Sequence, residues 1–441
     1  MEIENLGDWQ RTHYSKEITP EMDNQEVIVM GWCRELRDIG KLKFIKLADR
    51  EGFIQIKAKE GEVKPNLMKK IETLGREYVI AVKGIVKANK EAPGGMEIIP
   101  VEIKTINTSE KPLPLELETK KTPADLTTRL NVRFLDLRKP EIKAIFKISD
   151  FLKRSFFEYF KSKGFIDLNT PLVVGAAAEG GATMFKIDYF GKDAFLNQSP
   201  QLYKQMVLAS GFDKVTVVSH VFRAEPHDTY RHLNEVLQMD IEEAFIRDEE
   251  DVLKHFDEYL RFVIENINKN CADSLEVLKF KVQSIDFPIK RLTYNETLKE
   301  LGKNHIKISW GEDLTPEAER KICEIFNPII ITKWPAKIKP FYCMKEEDEP
   351  KLTKGFDLLF NGIEISSGAQ REHRYDELIK NIKEKGLNPK DFKFYLDAFR
   401  YGMPPHAGWS IGLERFTMAL LKLPNIRETS LFPRTTERLL P

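Results

Sequence analysis

The chain has 441 residues, room for two or three domains, and its 69 Lys plus Arg are matched by 69 Asp plus Glu, so the formal net charge is zero. With 31 % charged and 41 % hydrophobic residues it reads as a soluble globular protein with a sizeable core, and the zero balance excludes holding a nucleic acid by bulk positive charge, though not by a local basic surface. The start, MEIENLGDWQ, has no basic-then-apolar leader, and no run of about 18 apolar residues occurs, so neither secretion nor a membrane span is expected. Cys33, Cys271, Cys323 and Cys343 are scattered and none forms a CxxC pair, which argues against a structural zinc site or disulfide framework and for a reducing, cytoplasmic setting.

From residue 27 to about 105, five strand-like runs follow one another: VIVMGWC, KFIKL, GFIQIKAK, VIAVKGIV and MEIIPVEI. Turn residues at 37–40, 49–52 and 93–95 separate several of them, which suits a small β-barrel, an OB-fold first of all. Residues 1–105 are assigned to this barrel and 106–137, with the Pro- and Lys-rich EKPLPLELETKKTP, to a hinge. Residues 138–441 read as a larger α+β domain built on an antiparallel sheet flanked by helices. Its first helix carries Ile145, Ile148, Leu152, Phe156 and Tyr159 at helical spacing and stops at Gly164, and further helices are expected at 249–267 and 411–422. Strands are expected in VTVVSHVFRAE, VLQMDIEEAFI, FDLLF and GIEISSG, while 270–350 is less patterned, a candidate insertion.

Four segments carry residues suited to chemistry. In FLNQSPQLYKQM, Gln201 and Lys204 share one side if the stretch is helical. Spacing alone favours a surface lysine, since a buried one needs an anionic partner. VFRAEPHDTYRHLNE places Arg223, Glu225, Arg231 and His232 on a hairpin, where arginine forks suit phosphate oxygens; a solvated charged loop is the plain alternative. In FDLLFNGIEISSGAQREH, the Asn361-Gly362 turn pairs Phe360 with Ile363 and Leu359 with Glu364, so Asp357 and Glu364 share a face. Two such carboxylates need a cation or a proton between them, and hard oxygen ligands suit Mg²⁺ on substrate phosphates; solvated strand residues are the alternative. GMPPHAGWSIGLERFTMALL puts Ala407, Gly408, Ser410 and Gly412 before a helix bearing Arg415, either a tight strand-to-helix turn or a close approach to a ligand.

Taken together these segments resemble the class II aminoacyl-tRNA synthetases, and among them the aspartyl-tRNA synthetases of the archaeal and eukaryotic type: a barrel, then GFIDLNTPLVV as motif 1, FRAE…RHLNE as motif 2 and SIGLER as motif 3. The resemblance implies an aspartate–tRNA ligase that uses ATP and Mg²⁺, dimerises through motif 1, and charges tRNA-Asp. Pro93 in APGG resembles members that also charge tRNA-Asn. It further implies Arg223 and Arg415 as the catalytic arginines. ATP would be held by Arg223, Ala224, Glu225, Arg231, His232, Leu233, Glu364, Gly412, Leu413, Glu414 and Arg415, and Mg²⁺ by Asp357, Glu364 and Ser367. Strict alternation would put Ser366, not Ser367, beside Glu364, so the strand must bulge or end there. Aspartate would be bound by Glu179, Gln201, Lys204, Arg223, Asp240, Ser367 and Arg371, with Lys204 and Arg371 on the side-chain carboxylate. Asparagine would leave that buried positive charge unpaired. Phe44 and Gln55 fall where the family stacks on and reads an anticodon base. An asparaginyl-tRNA synthetase and an RNA-binding paralogue are the alternatives. Val236, Ala407, Ser410 and Thr435 depart from the family's usual residues.

Overall fold

The computed structural model describes residues 3–118, 124–175 and 184–441, which fall into two units, Met1–Glu116 and Leu117–Pro441. In the first, strand alternation closes a barrel. β1 (Glu26–Ile39), β2 (Leu42–Ala48), β3 (Phe53–Lys59), β4 (Val79–Ala88) and β5 (Met96–Asn107) run in the order β1-β2-β3-β5-β4. Val27, Val29, Ile45, Leu47, Ile54, Ile56, Ile80, Val82 and Ile98 point inward. β1 runs through Ile39, so the turn expected at 37–40 narrows to Gly40, where φ is +68°. A helix not expected from the sequence, Pro65–Glu72, lies between β3 and β4 and adds Leu67, Met68 and Ile71 to the core.

The second unit is built on eight strands of a larger sheet. Its strands in chain order are β6 (Ile166–Asp167), β7 (Val173–Val174), β8 (Lys186–Tyr189), β9 (Lys192–Leu196), β10 (Lys214–Phe222), β11 (Glu235–Ala244), β12 (Lys290–Thr293), β13 (Ile329–Thr332), β14 (Gly355–Phe360), β15 (Ile363–Gln370) and β16 (His406–Gly412). The large sheet has the order β12-β13-β14-β15-β16-β11-β10-β6, and β7-β9-β8 form a small one. Neighbours in the large sheet are antiparallel except at β12/β13 and β6/β10. Helices Pro140–Ser162, Glu250–Asn270 and Leu413–Leu421 cover one face. On it Trp409 stacks on Phe256 with centroids 4.1 Å apart and donates its indole N–H to the Val252 carbonyl at 3.1 Å.

Three expectations change. Ile411 and Gly412 end β16 rather than starting a helix. The last part of the supposed hinge is helical at Leu126–Asn131 and Arg133–Asp136, and Arg133, fully buried, pairs with Asp136 at 2.7 Å and donates to the carbonyls of Glu428, Ser430 and Leu431. The stretch 270–350, less patterned in sequence, carries regular elements. It supplies the edge strands β12 and β13 and a small core of its own around Tyr294, Leu301, Ile322, Ile331 and Trp334.

The face opposite the helices is set by a bulge. Leu359 pairs with Glu364, but Leu358 pairs with Ser366, leaving Ile365 as the extra residue. Past it Ser367, Ala369 and Arg371 join Glu364 on one face. Glu364 and Arg371 are seven residues apart, an odd spacing that unbroken alternation would place on opposite faces. Trp409→Ala should lower the stability of this unit by about 3–5 kcal/mol, read as a fall in urea midpoint at unchanged m-value.

Candidate active site

On β11, Met239 and Ile241 enter the helix-covered core, so Asp240 and Glu242 point to the other face. Helix Gln201–Leu208 lies over them and turns Gln201, Lys204 and Gln205 inward. Lys204, a surface residue on spacing alone, is 1 % exposed; its Nζ is 2.8 Å from Asp240 Oδ1 and 3.3 Å from Glu242 Oε2. Arg371 grips Glu242 from the other side, Nε to Oε1 at 2.8 Å, while its Nη2 donates to Gln201 Oε1 at 3.1 Å and to the Gly408 carbonyl at 2.9 Å. Any Cβ on Gly408 would collide with the Ile241 carbonyl and the Glu242 carboxylate.

Burial pushes the Glu242 carboxyl up, but Arg371 and Lys204 outweigh it and bring it down to about 2. At Asp240 burial prevails over Lys204 and the group is raised. Beneath them His406 Nδ1 faces the Pro404 carbonyl at 2.8 Å and Nε2 the Gln205 amide at 2.8 Å, and Tyr395 donates to Gln205 at 3.1 Å. Burial drops His406 to about 4, so it supports Gln205 as a neutral ring with its proton on Nδ1.

The two cations are therefore not awaiting a partner: Glu242 and Asp240 already pair them. The expectation that asparagine would leave unpaired charge is corrected to a matter of donors. Among the described residues nothing takes the Nη1 edge of Arg371, and Lys204 offers donors only. Glu242 was missed in the sequence, although it stands two residues from Asp240 and so on the same face of the strand.

A second pocket adjoins this cluster through Ser410, which lines it and donates to Asp240 Oδ2 at 3.1 Å. Arg223, Glu225, Arg231, His232, Leu233, Glu364, Ser367, Gly412, Glu414 and Arg415 also line it. Arg223 has no side-chain partner among the described residues. Burial, with Arg223 and Arg231 nearby, pushes the Arg415 guanidinium down, against the pull of Glu364. Arg231 is offset by Glu319 and Arg415 faces Glu364, which leaves the Arg223 fork suited to an incoming anion. Glu414 takes the Leu237 amide N–H at 3.0 Å, and burial raises it to about 7. Leu413 packs in the core, and neither it nor Ala224 lines the pocket. Glu179 lies outside the described residues.

Behind the pocket-lining Ser367, Glu364 and Arg231 pack further carboxylates and a lysine. Asp357, buried on β14, receives Lys339 Nζ on both oxygens at 2.6 Å, and the same ammonium lies 3.4 Å from Ser367 Oγ. Burial raises Asp357 to about 6, helped by Glu364 and opposed by Lys339. Glu319 pairs with Arg231 at 2.8 Å, and burial with Glu364 nearby raises it to about 7. Lys339 and Glu319 come from 270–350, where no pattern in the sequence marked them.

In the barrel, Phe44, Gln55 and Pro93 line one groove. Phe44 is outside the barrel's core cluster. Gln55 donates its amide N–H to Glu97, buried at 2 % exposure, at 3.0 Å, and Glu97 also takes Lys57 and Asn89.

The family described as tRNA synthetases class II (D, K and N) matches residues 125–436, and the OB-fold nucleic acid binding domain matches 27–106. The chain belongs to the class II aminoacyl-tRNA synthetases. This synthetase is 49 % identical over 437 residues to the aspartate–tRNA(Asp/Asn) ligase of Methanothermobacter thermautotrophicus, covering 99 % of the chain and 100 % of that protein. It is 49 % identical over 438 residues to the enzyme of the same name from Methanocaldococcus jannaschii, with 99 % and 100 % covered. Among solved structures it is similar to the Pyrococcus horikoshii asparaginyl-tRNA synthetase with asparaginyl-adenylate (TM-score 0.91, 32 % identity, 98 % of this chain and 100 % of that one). The aspartyl-tRNA synthetase of Entamoeba histolytica gives a TM-score of 0.88 at 30 % identity, with 100 % and 96 % covered.

In this synthetase Glu319 links pH to stability. Its carboxyl lies near 7 in the folded chain against an ordinary 4.5. The folded state thus holds a proton that the unfolded state releases, and stability falls as pH rises from about 4.5 to 7, then levels. Glu319→Gln should remove about 1–3 kcal/mol of that fall. Melting curves at pH 5 and pH 8 check it: the variant's drop in Tm should be smaller than that of the unmodified chain.

Proposed function

We propose that the chain is an aspartate–tRNA ligase that activates L-aspartate with ATP and transfers it to tRNA-Asp and also to tRNA-Asn. The observation that carries the reading is the pair Lys204 and Arg371, buried side by side on the face that also bears the arginine-lined pocket. A side-chain carboxylate offers acceptors to both cations. A carboxamide must turn its NH₂ donors toward one of them, and such a mismatch is rejected by large factors. The asparaginyl alternative has the similarity to the Pyrococcus horikoshii fold in its favour, but its carboxamide would turn donors toward a lysine that offers donors only.

In the first step the aspartate α-carboxylate attacks the α-phosphorus of ATP and pyrophosphate leaves; in the second the terminal ribose hydroxyl of tRNA displaces AMP. Neither step needs a covalent bond to protein. Arg223, with no protein side-chain partner among the described residues, would hold the α-phosphate and α-carboxylate. Arg231, His232 and Arg415 would steady the leaving polyphosphate, and Ala224, Glu225, Leu233, Gly412, Leu413 and Glu414 the nucleotide. Gln201, Asp240 and Glu179 would orient the amino acid.

The donor set fits Mg²⁺. Asp357, Glu364 and the Ser367 hydroxyl offer hard oxygens beside the pocket, and among the described residues no cluster of three or more His, Cys, Asp or Glu side chains is arranged to hold a metal. The ion would be held by one or two of these carboxylates plus substrate phosphates, where it would neutralise charge on the pyrophosphate.

Phe44 would stack on an anticodon base and Gln55 read its edge, while Pro93 at the same groove favours the relaxed specificity named for the curated relatives. A homodimer is supported by the exposed apolar side chains on the small sheet, Leu172, Val173, Phe185, Tyr189 and Phe190. Four free, buried cysteines suit a cytoplasmic setting. Among the described residues no helix is long and apolar enough to cross a membrane.

ATP–pyrophosphate exchange should depend on aspartate and not on asparagine, and Arg223→Ala should abolish it. Transcripts of tRNA-Asp and tRNA-Asn should both be aspartylated. Asparagine-dependent exchange would overturn the amino-acid assignment, and no charging of tRNA-Asn would overturn the dual specificity.

A further inference from the structure

The ammonium of Lys339 sits where the proposed metal side of the pocket has its carboxylates. Both Asp357 oxygens are 2.6 Å from it and Ser367 Oγ is 3.4 Å away. The side chain is 11 % exposed, and its ammonium also lies 4.7 Å from the ring centroid of Trp334, itself nearly fully buried. The contact is therefore held from two sides, by a carboxylate and by an aromatic face. Glu364 adds a second negative charge to the same surroundings, and Arg415 faces it with Nη1 4.0 Å from Glu364 Oε1. Before any nucleotide arrives, the two carboxylates are thus already matched by two cations of the chain.

We propose that Lys339 is a built-in counter-cation that makes divalent-metal loading at Asp357 and Glu364 conditional on ATP. The inference rests on the reading of those carboxylates as the metal side of the site. A divalent ion entering the nucleotide-free pocket has to displace the ammonium from Asp357 or sit beside it, and at such distances like charges in a half-buried site repel strongly. A triphosphate brings several negative charges and its own oxygen ligands, so the ammonium and the ion can then be accommodated together. Lys339 acts here through Asp357 and is a positioning residue.

The test uses the full-length chain and Mn²⁺ as a paramagnetic probe, titrated by EPR with and without a non-hydrolysable ATP analogue. The unmodified chain should bind Mn²⁺ weakly alone and much more tightly with the analogue. Lys339→Met and Lys339→Gln should bind it without nucleotide about tenfold or more tightly than the unmodified chain. Lys339→Arg, which keeps the charge, should stay near the unmodified behaviour. Glutamine retains a donor for Asp357, so it carries the test if the methionine variant fails to fold, as thermal melting would show. Nucleotide-free affinity unchanged in both neutral variants overturns the proposal. Asp357→Asn separates the two readings. If it abolishes nucleotide-dependent Mn²⁺ binding, the metal side is placed correctly and the Lys339 variants decide alone. If it leaves that binding intact, the metal reading fails and the Lys339 proposal with it.

Discussion

One carboxylate, Glu242, organises the centre of the catalytic unit. It is fully buried between Lys204 and Arg371, which come from a helix and from the end of a strand far apart in the chain. Arg371 depends on it for its carboxylate partner and Lys204 shares it with Asp240, and removing one member of such a cluster typically costs about 3–5 kcal/mol because the remaining charge is stranded. Relative to an apolar core of the same volume, a buried ion cluster of this kind adds little or no net stability. What it provides is placement: two cations held at fixed positions, with the Nη1 edge of Arg371 left for a ligand. The neutral triad of Tyr395, Gln205 and His406 beneath it holds that geometry without adding charge.

The sheet carries the placement across the site. Asp357 pairs with Ser367, Ser367 with Ser410, and Ser410 with Asp240, so one row crosses four strands. Three strand spacings separate its ends by about 14 Å, the scale on which an amino acid and the polyphosphate of ATP lie side by side. The bulge at Ile365 allows Glu364 at one end of β15 and Arg371 just past the other to serve the same face. A local irregularity thus brings the arginine-lined pocket and the Arg371 cluster onto one face.

Much of this was legible in the sequence, for reasons that differ by residue. The Asn361-Gly362 turn fixed the pairing of Leu359 with Glu364, and the odd spacing from Glu364 to Ser367 demanded the bulge that is found. The helix from Pro140 followed from its apolar spacing. Lys204 was misread from spacing alone, because burial of a lysine depends on anions brought from β11, which no local window contains. Glu242 could have been found, since alternation places it with Asp240. Lys339 and Glu319 could not, because they meet the pocket-lining Ser367 and Arg231 from a loop and a short helix whose local pattern says only that they are polar.

On the proposed function, buried donors held by Glu242 choose the amino acid. This is tested most directly by amino-acid-dependent ATP–pyrophosphate exchange in Lys204→Met, comparing kcat/KM for aspartate and asparagine. The account predicts that aspartate falls by about 10³-fold or more while asparagine changes little, so that the preference collapses. A variant that stays folded and keeps the full preference for aspartate would contradict it.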